Sequence, residues 1–241
     1  HPVAHSFPTR RSSDLEGREL KLRVASYLPR HGRKGKDPAH VTVTGAGGET
    51  VLDKTVELEH VHAPHGYPEE TLDTGKGVST VEVTGDPEKW FAFTYPAPPM
   101  VLVGDAVDGG WSRFRMTVGT ARQWYFRVPA GTKSFTIRTG AQHDTDVARV
   151  EVWAPDRCVE LIYANQATRT VEVPDGLDGK IWYLRTDVGS ASRFVTAEGP
   201  EYRFAGIYLT VDLKGVPGYL APTWEQWFDP QAPVPAMQRG D

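Results

Sequence analysis

The sequence predicts an all-β fold, two antiparallel, jelly-roll-like β-sandwich domains in tandem. Three observations carry that prediction. Apolar residues alternate with polar ones in short runs throughout the chain, the period-two signature of strands with one face buried and one wet. The runs are bounded by turn formers, and the 241 residues include 24 Gly and 19 Pro. No segment sustains the i, i+3, i+4 apolar spacing that an amphipathic helix needs.

The elements follow in order. Leu20, Leu22 and Val24 alternate with Lys21 and Arg23, and "HVTVTG" repeats the pattern with Val41 and Val43. "KTVELE" and "STVEVTG" add Val56 with Leu58 and Val81 with Val83, followed by "WFAFTYP" and "MVLVGD". "RFRMTVG" places Phe114, Met116 and Val118 on one face. The second half repeats the grammar: Trp124, Phe126 and Val128, then Phe135 and Ile137, then Val150 and Val152. "VELIYA", "RTVEVP", "KIWYLRTD" and "IYLTVDL" complete the set, with "PAGTK", "APDR", "PDGLDGK" and "AEGPE" as turns between strands. One domain is expected over 16–119 and a second over 120–214. The Pro-rich segment 215–241 is expected as a tail lying on the surface or a linker.

Composition narrows the classes of function. The net charge is −4 with both signs interspersed, so no electrostatic footprint for nucleic acid exists. The local basic cluster from Arg30 to Lys36 has no interleaved aromatic residue on which a base could stack, and reads as a solvated loop. The single cysteine, Cys158, rules out an intrachain disulfide framework and is expected to be a structural thiol. No run has the eighteen or more apolar residues of a membrane-spanning helix.

Two resemblances add to this reading. Ser6 to Leu15, "SFPTRRSSDL", resembles the translation of a sequencing-library adapter; residues 1–15 are therefore expected to be an artefact without structure, and the natural protein to continue from near Glu16. "YFRVPAGTKSFTI", "ARVEVWAPD" and "TVEVPDGLDGKIWYL" resemble bacterial extracellular β-sandwich modules of the pre-peptidase C-terminal type. They are also similar to sandwich appendages of polysaccharide-degrading enzymes. The likeness rests on Tyr125, Phe126, Val128, Pro129 and Gly131, on Pro155 and Asp156, and on Gly179, Trp182 and Leu184. Arg157 departs from it, standing where such a turn usually carries Gly. These are turn and core positions, so the resemblance implies a secreted or surface-attached accessory module and brings no catalytic residue with it.

Candidate chemistry is sparse. His60 and His62 in "HVHAPHGYPEE" would share one face of a strand, about 6.5–7 Å apart along it. A turn through Pro64 and Gly66 could return His65 to them as a third ligand for zinc or copper. The alternative is a solvated, His-rich hairpin. Asp105, Asp108, Asp144, Asp146, Asp175 and Asp178 lie in acidic turns that could supply a structural calcium, although Asp and Gly also make turns for their own reasons. There is no G-x-S-x-G elbow, no phosphate-binding loop and no distinctive carboxylate pair. The aromatic residues offer more. Alternation turns Trp124 and Trp182 inward and leaves Trp153, Tyr125 and Tyr183 outward; with Trp111, in the loop "DGGWSR", these are candidates for stacking on sugar rings. Packing between domains is the other account of them. Trp224 and Trp227 are expected to pin the tail to the body.

The expected function is a non-catalytic, carbohydrate-binding-like or stabilising module without a cofactor, a structural calcium aside. It would be the C-terminal part of a larger secreted polysaccharide-active enzyme, and its partners a polysaccharide or the catalytic domain of the same parent chain. Two alternatives stand beside this: a hydrolase or lyase proper, metal-dependent through His60, His62 and His65, and a structural spacer.

Overall fold

The computed structural model describes residues 3–10, 19–27, 36–45, 47–59, 69–73, 78–85, 90–93, 101–117, 122–141, 148–187, 192–196, 199–203 and 208–231. They form twenty strands and one 3-10 turn, and no α-helix occurs among the described residues. The chain is all-β, and every strand pairing described below is antiparallel. It divides into two compact units, His1–Val101 with Phe228–Asp241, and Leu102–Trp227. The division therefore falls well before the expected 119/120 boundary. "RFRMT" belongs to the second unit because it pairs along its length with "YLTVDLK" almost a hundred residues away.

The first unit contains β1 (Val3–Arg10), β2 (Glu19–Tyr27), β3 (Lys36–Thr44), β4 (Thr50–Glu59), β5 (Glu69–Asp73), β6 (Val78–Gly85) and β7 (Trp90–Phe93). β6 pairs with β1 and with β3, and β3 with β4; separately, β2 pairs with β5 and β7. Val41 and Val43 of β3 and Val81 of β6 are buried, and the register sets Val43 opposite Val81. The β3–β4 hairpin closes on Gly45, whose N–H donates to the Glu49 carbonyl at 2.8 Å, with Gly48 at φ 86° inside the turn. One expectation differs here. The leader, expected to lack structure, contains β1, paired with β6 from Val3↔Gly85 to Arg10↔Val78. A sheet edge recruits backbone N–H and C=O groups, so a segment without side-chain alternation can still join a ladder.

The second unit contains β8 (Leu102–Val103), β9 (Asp105–Val107), β10 (Trp111–Thr117), β11 (Arg122–Arg127), β12 (Ser134–Ala141), β13 (Ala148–Trp153) and β14 (Cys158–Ala164). It continues with β15 (Gln166–Glu172), β16 (Ile181–Asp187), β17 (Ser192–Thr196), β18 (Gly199–Arg203), β19 (Tyr208–Lys214) and β20 (Tyr219–Leu220). A four-stranded sheet has the order β11-β16-β13-β14, and a five-stranded sheet the order β15-β12-β19-β10-β9. β17 and β18 form a hairpin, and β8 pairs with β20.

The inner faces of the two larger sheets meet in one core. Phe126, Val128, Val150, Val152, Ile162, Trp182 and Leu184 come from the four-stranded sheet and its margins. Phe114, Phe135, Ile137, Val171, Leu209, Val211 and Leu213 come from the five-stranded one. At its centre Phe135 meets Phe126 and Trp182 edge-on, with centroids 5.6 and 5.7 Å apart. Trp124 packs against this core as alternation requires. The segment after Lys214 differs from the expected surface tail. Leu220 and Ala221 are fully buried, and Tyr125 and Ala221 exchange two backbone hydrogen bonds of 2.8 Å. Their apolar side chains and free backbone groups complete the margin of the unit. Trp227 lies near the Arg127 guanidinium, 5.8 Å from its ring centroid, whereas Trp224 is 61% exposed.

One long-range contact ties two turns together. The Gly131 N–H donates to the Asp178 carboxylate at 2.7 Å, between the β11–β12 and β15–β16 connections. Gly131 and Gly179 have φ of 82° and 71°, a region that favours glycine. The hydrogen bond holds the Asp178 carboxyl below its ordinary value of 3.8. A carboxylate with a depressed folded-state pKa stabilises the fold above its unfolded value and loses that contribution as pH falls through the folded value. Asp178→Asn keeps an oxygen to accept from Gly131 but removes the charge. The variant is expected to flatten the acid limb of the stability–pH curve below about pH 4, which denaturant titrations at pH 2.5 to 6 would measure. An acid limb identical to that of the unsubstituted protein would refute the linkage.

Candidate functional site

Alternation turns the odd-numbered residues of β11, β13 and β16 away from the core, and strand register then aligns them. Tyr125 lies opposite Tyr183, Tyr183 opposite Trp153, and Trp153 opposite Cys158. One row of side chains thus crosses all four strands. Directly paired residues in such a row have Cβ atoms about 4.5–5.5 Å apart, close enough for rings to touch. The Tyr125 and Tyr183 rings are tilted by 44° with centroids 5.5 Å apart. The Tyr183 and Trp153 rings are nearly parallel, at 7° and 5.6 Å. Parallel rings at that separation overlap with an offset, so each covers part of one face of the other. A shift in register between Val152 and Trp153 puts Cys158, not Val159, opposite the indole. Val159 packs instead against the core.

The neighbouring row positions these rings. It runs Gln123, Arg185, Glu151, Leu161 across the same four strands. The Tyr125 hydroxyl donates to Gln123 Oε1 at 2.7 Å. Trp153 Nε1 donates to Glu151 Oε2 at 2.8 Å, and Arg149 Nη2 to Glu151 Oε1 at 2.8 Å. Arg185 Nη1 is 3.8 Å from the same carboxylate, whose side chain is only 9% exposed. A carboxylate so covered is tolerable because two guanidinia neutralise it, and its hydrogen bond fixes the edge of the indole. Leu161 and Tyr163 extend the face and are 54% and 55% exposed. Partial burial, with Tyr125 beside it, raises the Tyr183 phenol above its ordinary value, so it stays protonated and able to donate. Partial desolvation, with the charge of Glu151, raises the Cys158 thiol. Cys158 is thus a poor nucleophile at neutral pH.

Trp153, Tyr125 and Tyr183 of the four expected ligand-binding residues come together; Trp111 does not. It lies on β10 in the other sheet, with the Arg138 guanidinium 4.6 Å and the Lys214 ammonium 5.7 Å from its ring centroid. Its exposed-loop reading missed that β10 starts at this residue. Beside it runs a row of charged and polar residues: Asp105, Arg113, Asp212, Arg138 and Thr168 across β9, β10, β19, β12 and β15.

His60, His62 and His65 lie outside the described residues, as do Asp144 and Asp146. Among the described residues no three His, Cys, Asp or Glu side chains are grouped to hold a metal ion. Burial pushes the Asp105 carboxyl up, and Arg115 and Arg113 oppose that shift. Asp175 lies 3.7 Å from Lys133, and Asp178 is the turn acceptor described above. Glu151 was not singled out from the sequence as a positioning residue, nor were Arg113, Arg138 and Asp212 as a group. For Glu151 the signal was its i, i+2 spacing to Trp153 on an outward strand face.

No family model matches the chain. A search of the curated proteins finds no significant match either. No helix among the described residues is long and apolar enough to cross a membrane.

Proposed function

We propose that the chain is a non-catalytic accessory module that binds polysaccharide through the outer face of its four-stranded sheet. It serves a polysaccharide-active hydrolase or lyase that is secreted or held at the cell surface. The observation that carries this reading is the row Tyr125, Tyr183, Trp153, half-buried and aligned across three strands of a face that also exposes Leu161 and Tyr163. Aromatic rings offer apolar surface to the C–H faces of pyranose units. Arg185 and Gln123, one row away and exposed, supply donors and acceptors for sugar hydroxyls. The rings are held by hydrogen bonds and by one another, which lowers the ordering cost on binding.

The test is retention on a panel of insoluble and soluble polysaccharides, followed by affinity measurements on those retained. Trp153→Ala is expected to weaken binding at least tenfold, about 1.4 kcal/mol, with the fold unchanged by circular dichroism. Glu151→Gln is expected to cost less, since it removes the charge that orients the indole and leaves the ring. No retention on any polysaccharide, or affinity indifferent to Trp153→Ala, would overturn the reading.

A further inference from the structure

The outer face of the five-stranded sheet carries a concavity of about 420 Å³ lined by polar groups. Its floor dips at Gly140, which has no side chain where β12 lies between Gln166 of β15 and Thr210 of β19. Its wall is the pair of guanidinia of Arg113 and Arg138, on either side of Asp212.

These groups are fixed before any ligand arrives. Asp212 is 97% removed from solvent as a side chain, yet lies on the outer face of its strand because the two arginines cover it. Arg113 donates through Nε to Oδ1 at 2.9 Å and through Nη2 to Oδ2 at 3.0 Å. Arg138 donates through Nε to Oδ2 at 2.7 Å and lies over the Trp111 ring. A guanidinium has five N–H donors, so both heads retain donors beyond these bonds. The two side chains are 34% and 38% exposed, which brings those donors to the cavity.

We propose that this cavity binds a carboxylate carried by a small hydroxylated ligand, a uronate sugar being the simplest. Charge selects the anion: among the lining residues two guanidinia and one carboxylate leave a single net positive charge, which a monoanion matches, and just outside the lining Asp105 and Arg115 offset one another. A dianion such as phosphate would keep an uncompensated charge beside Asp212. Guanidinium and carboxylate also match as planar, bidentate partners. The hydroxyl of Thr210, which donates to the Gly140 carbonyl at 3.2 Å and keeps its lone pairs to accept, and the amide of Gln166 line the same cavity as partners for ring hydroxyls, and the volume falls in the range of small-molecule sites. This proposal rests on its own geometry and does not require the aromatic row to bind glycan.

The experiment is an amide NMR titration of the full chain with glucuronate, with glucose as the same ring lacking the charge, and with acetate as the charge lacking the ring. Glucuronate is expected to shift the Gly140, Gln166 and Thr210 amides saturably, and at least tenfold more tightly than glucose or acetate. Arg138→Gln is expected to weaken glucuronate at least tenfold. Because that change also loosens Asp212, Gly140→Ala serves as a second variant: its Cβ would lie 2.8 Å from Thr210 Oγ1 and fill the floor, while its thermal midpoint reports folding separately. Equal response to glucose and glucuronate, acetate binding as tightly as glucuronate, no response at all, or glucuronate affinity unchanged by both variants would each overturn the proposal.

Discussion

Trp182→Ala is expected to lower the unfolding free energy of the unit formed by Leu102–Trp227 by about 3–5 kcal/mol, the range for removing a large buried aromatic side chain. Trp182 is fully buried on β16, in the second unit's core. It meets Phe135 of the opposite sheet edge-on at 81°, so the substitution opens a cavity between the sheets where relaxation of one sheet alone cannot close it. Its Nε1 also donates to the Leu177 carbonyl at 2.9 Å, tying the β15–β16 turn to the core. Trp182→Phe separates the two contributions. It retains most of the apolar volume and loses the hydrogen bond, for an expected cost nearer 1–2 kcal/mol. Denaturant titration followed by far-ultraviolet circular dichroism measures both. A loss below about 1 kcal/mol for the alanine variant would mean that this residue is not central to the core. Against a typical domain stability of about 5–15 kcal/mol, the expected loss removes a large share.

Asp212→Ala is the second large effect, expected at about 2–3 kcal/mol. Breaking a buried ion pair by removing one partner costs about 3–5 kcal/mol when the remaining charge stays buried. Here the remaining charges are two guanidinia that reach solvent, so the cost falls below that range. It stays well above that of an exposed pair because Asp212 itself is buried and accepts bonds from β10 on one side and β12 on the other. The two arginines, opposite neighbours of the same residue, would then face each other as like charges. A double-mutant cycle of Asp212→Ala with Arg113→Ala is expected to show coupling above about 1 kcal/mol. Coupling near zero would mean that the row contributes nothing beyond its separate side chains. The same cycle distinguishes structural from binding effects at the proposed carboxylate site, since stability and glucuronate affinity are read separately.

Most of the strand faces were legible in the sequence. Phe126, Val128, Phe135, Ile137, Val150, Val152, Trp182, Leu184, Leu209, Val211 and Leu213 were all assigned inward by alternation, and all are buried. The outward assignments of Tyr125, Tyr183 and Trp153 are equally local and hold for the same reason. The division into units is less legible than the strand faces. The Gly119–Arg122 region carries a turn signal, but a turn does not say which unit its flanking strands join. Glu151 lies on the outward face of β13; its burial follows from Trp153, Arg149 and Arg185 closing over it, and Arg185 lies on another strand. Trp111 reads as a loop residue because Asp108, Gly109 and Gly110 before it are turn formers, and turn chemistry does not say where the next strand begins or which sheet it joins.

By itself the sequence determined the all-β class, which side chains enter the core, and which aromatic residues remain outside it. Those follow from the two-residue period of an extended backbone, a property of neighbours along the chain. Strand order and register belong to the tertiary structure alone. They set Tyr125, Tyr183 and Trp153 in one row, send Trp111 to another sheet, and place Asp212 between arginines 99 and 74 residues away. Such pairings form between distant segments, and their choice is made by packing two whole sheet faces into one core.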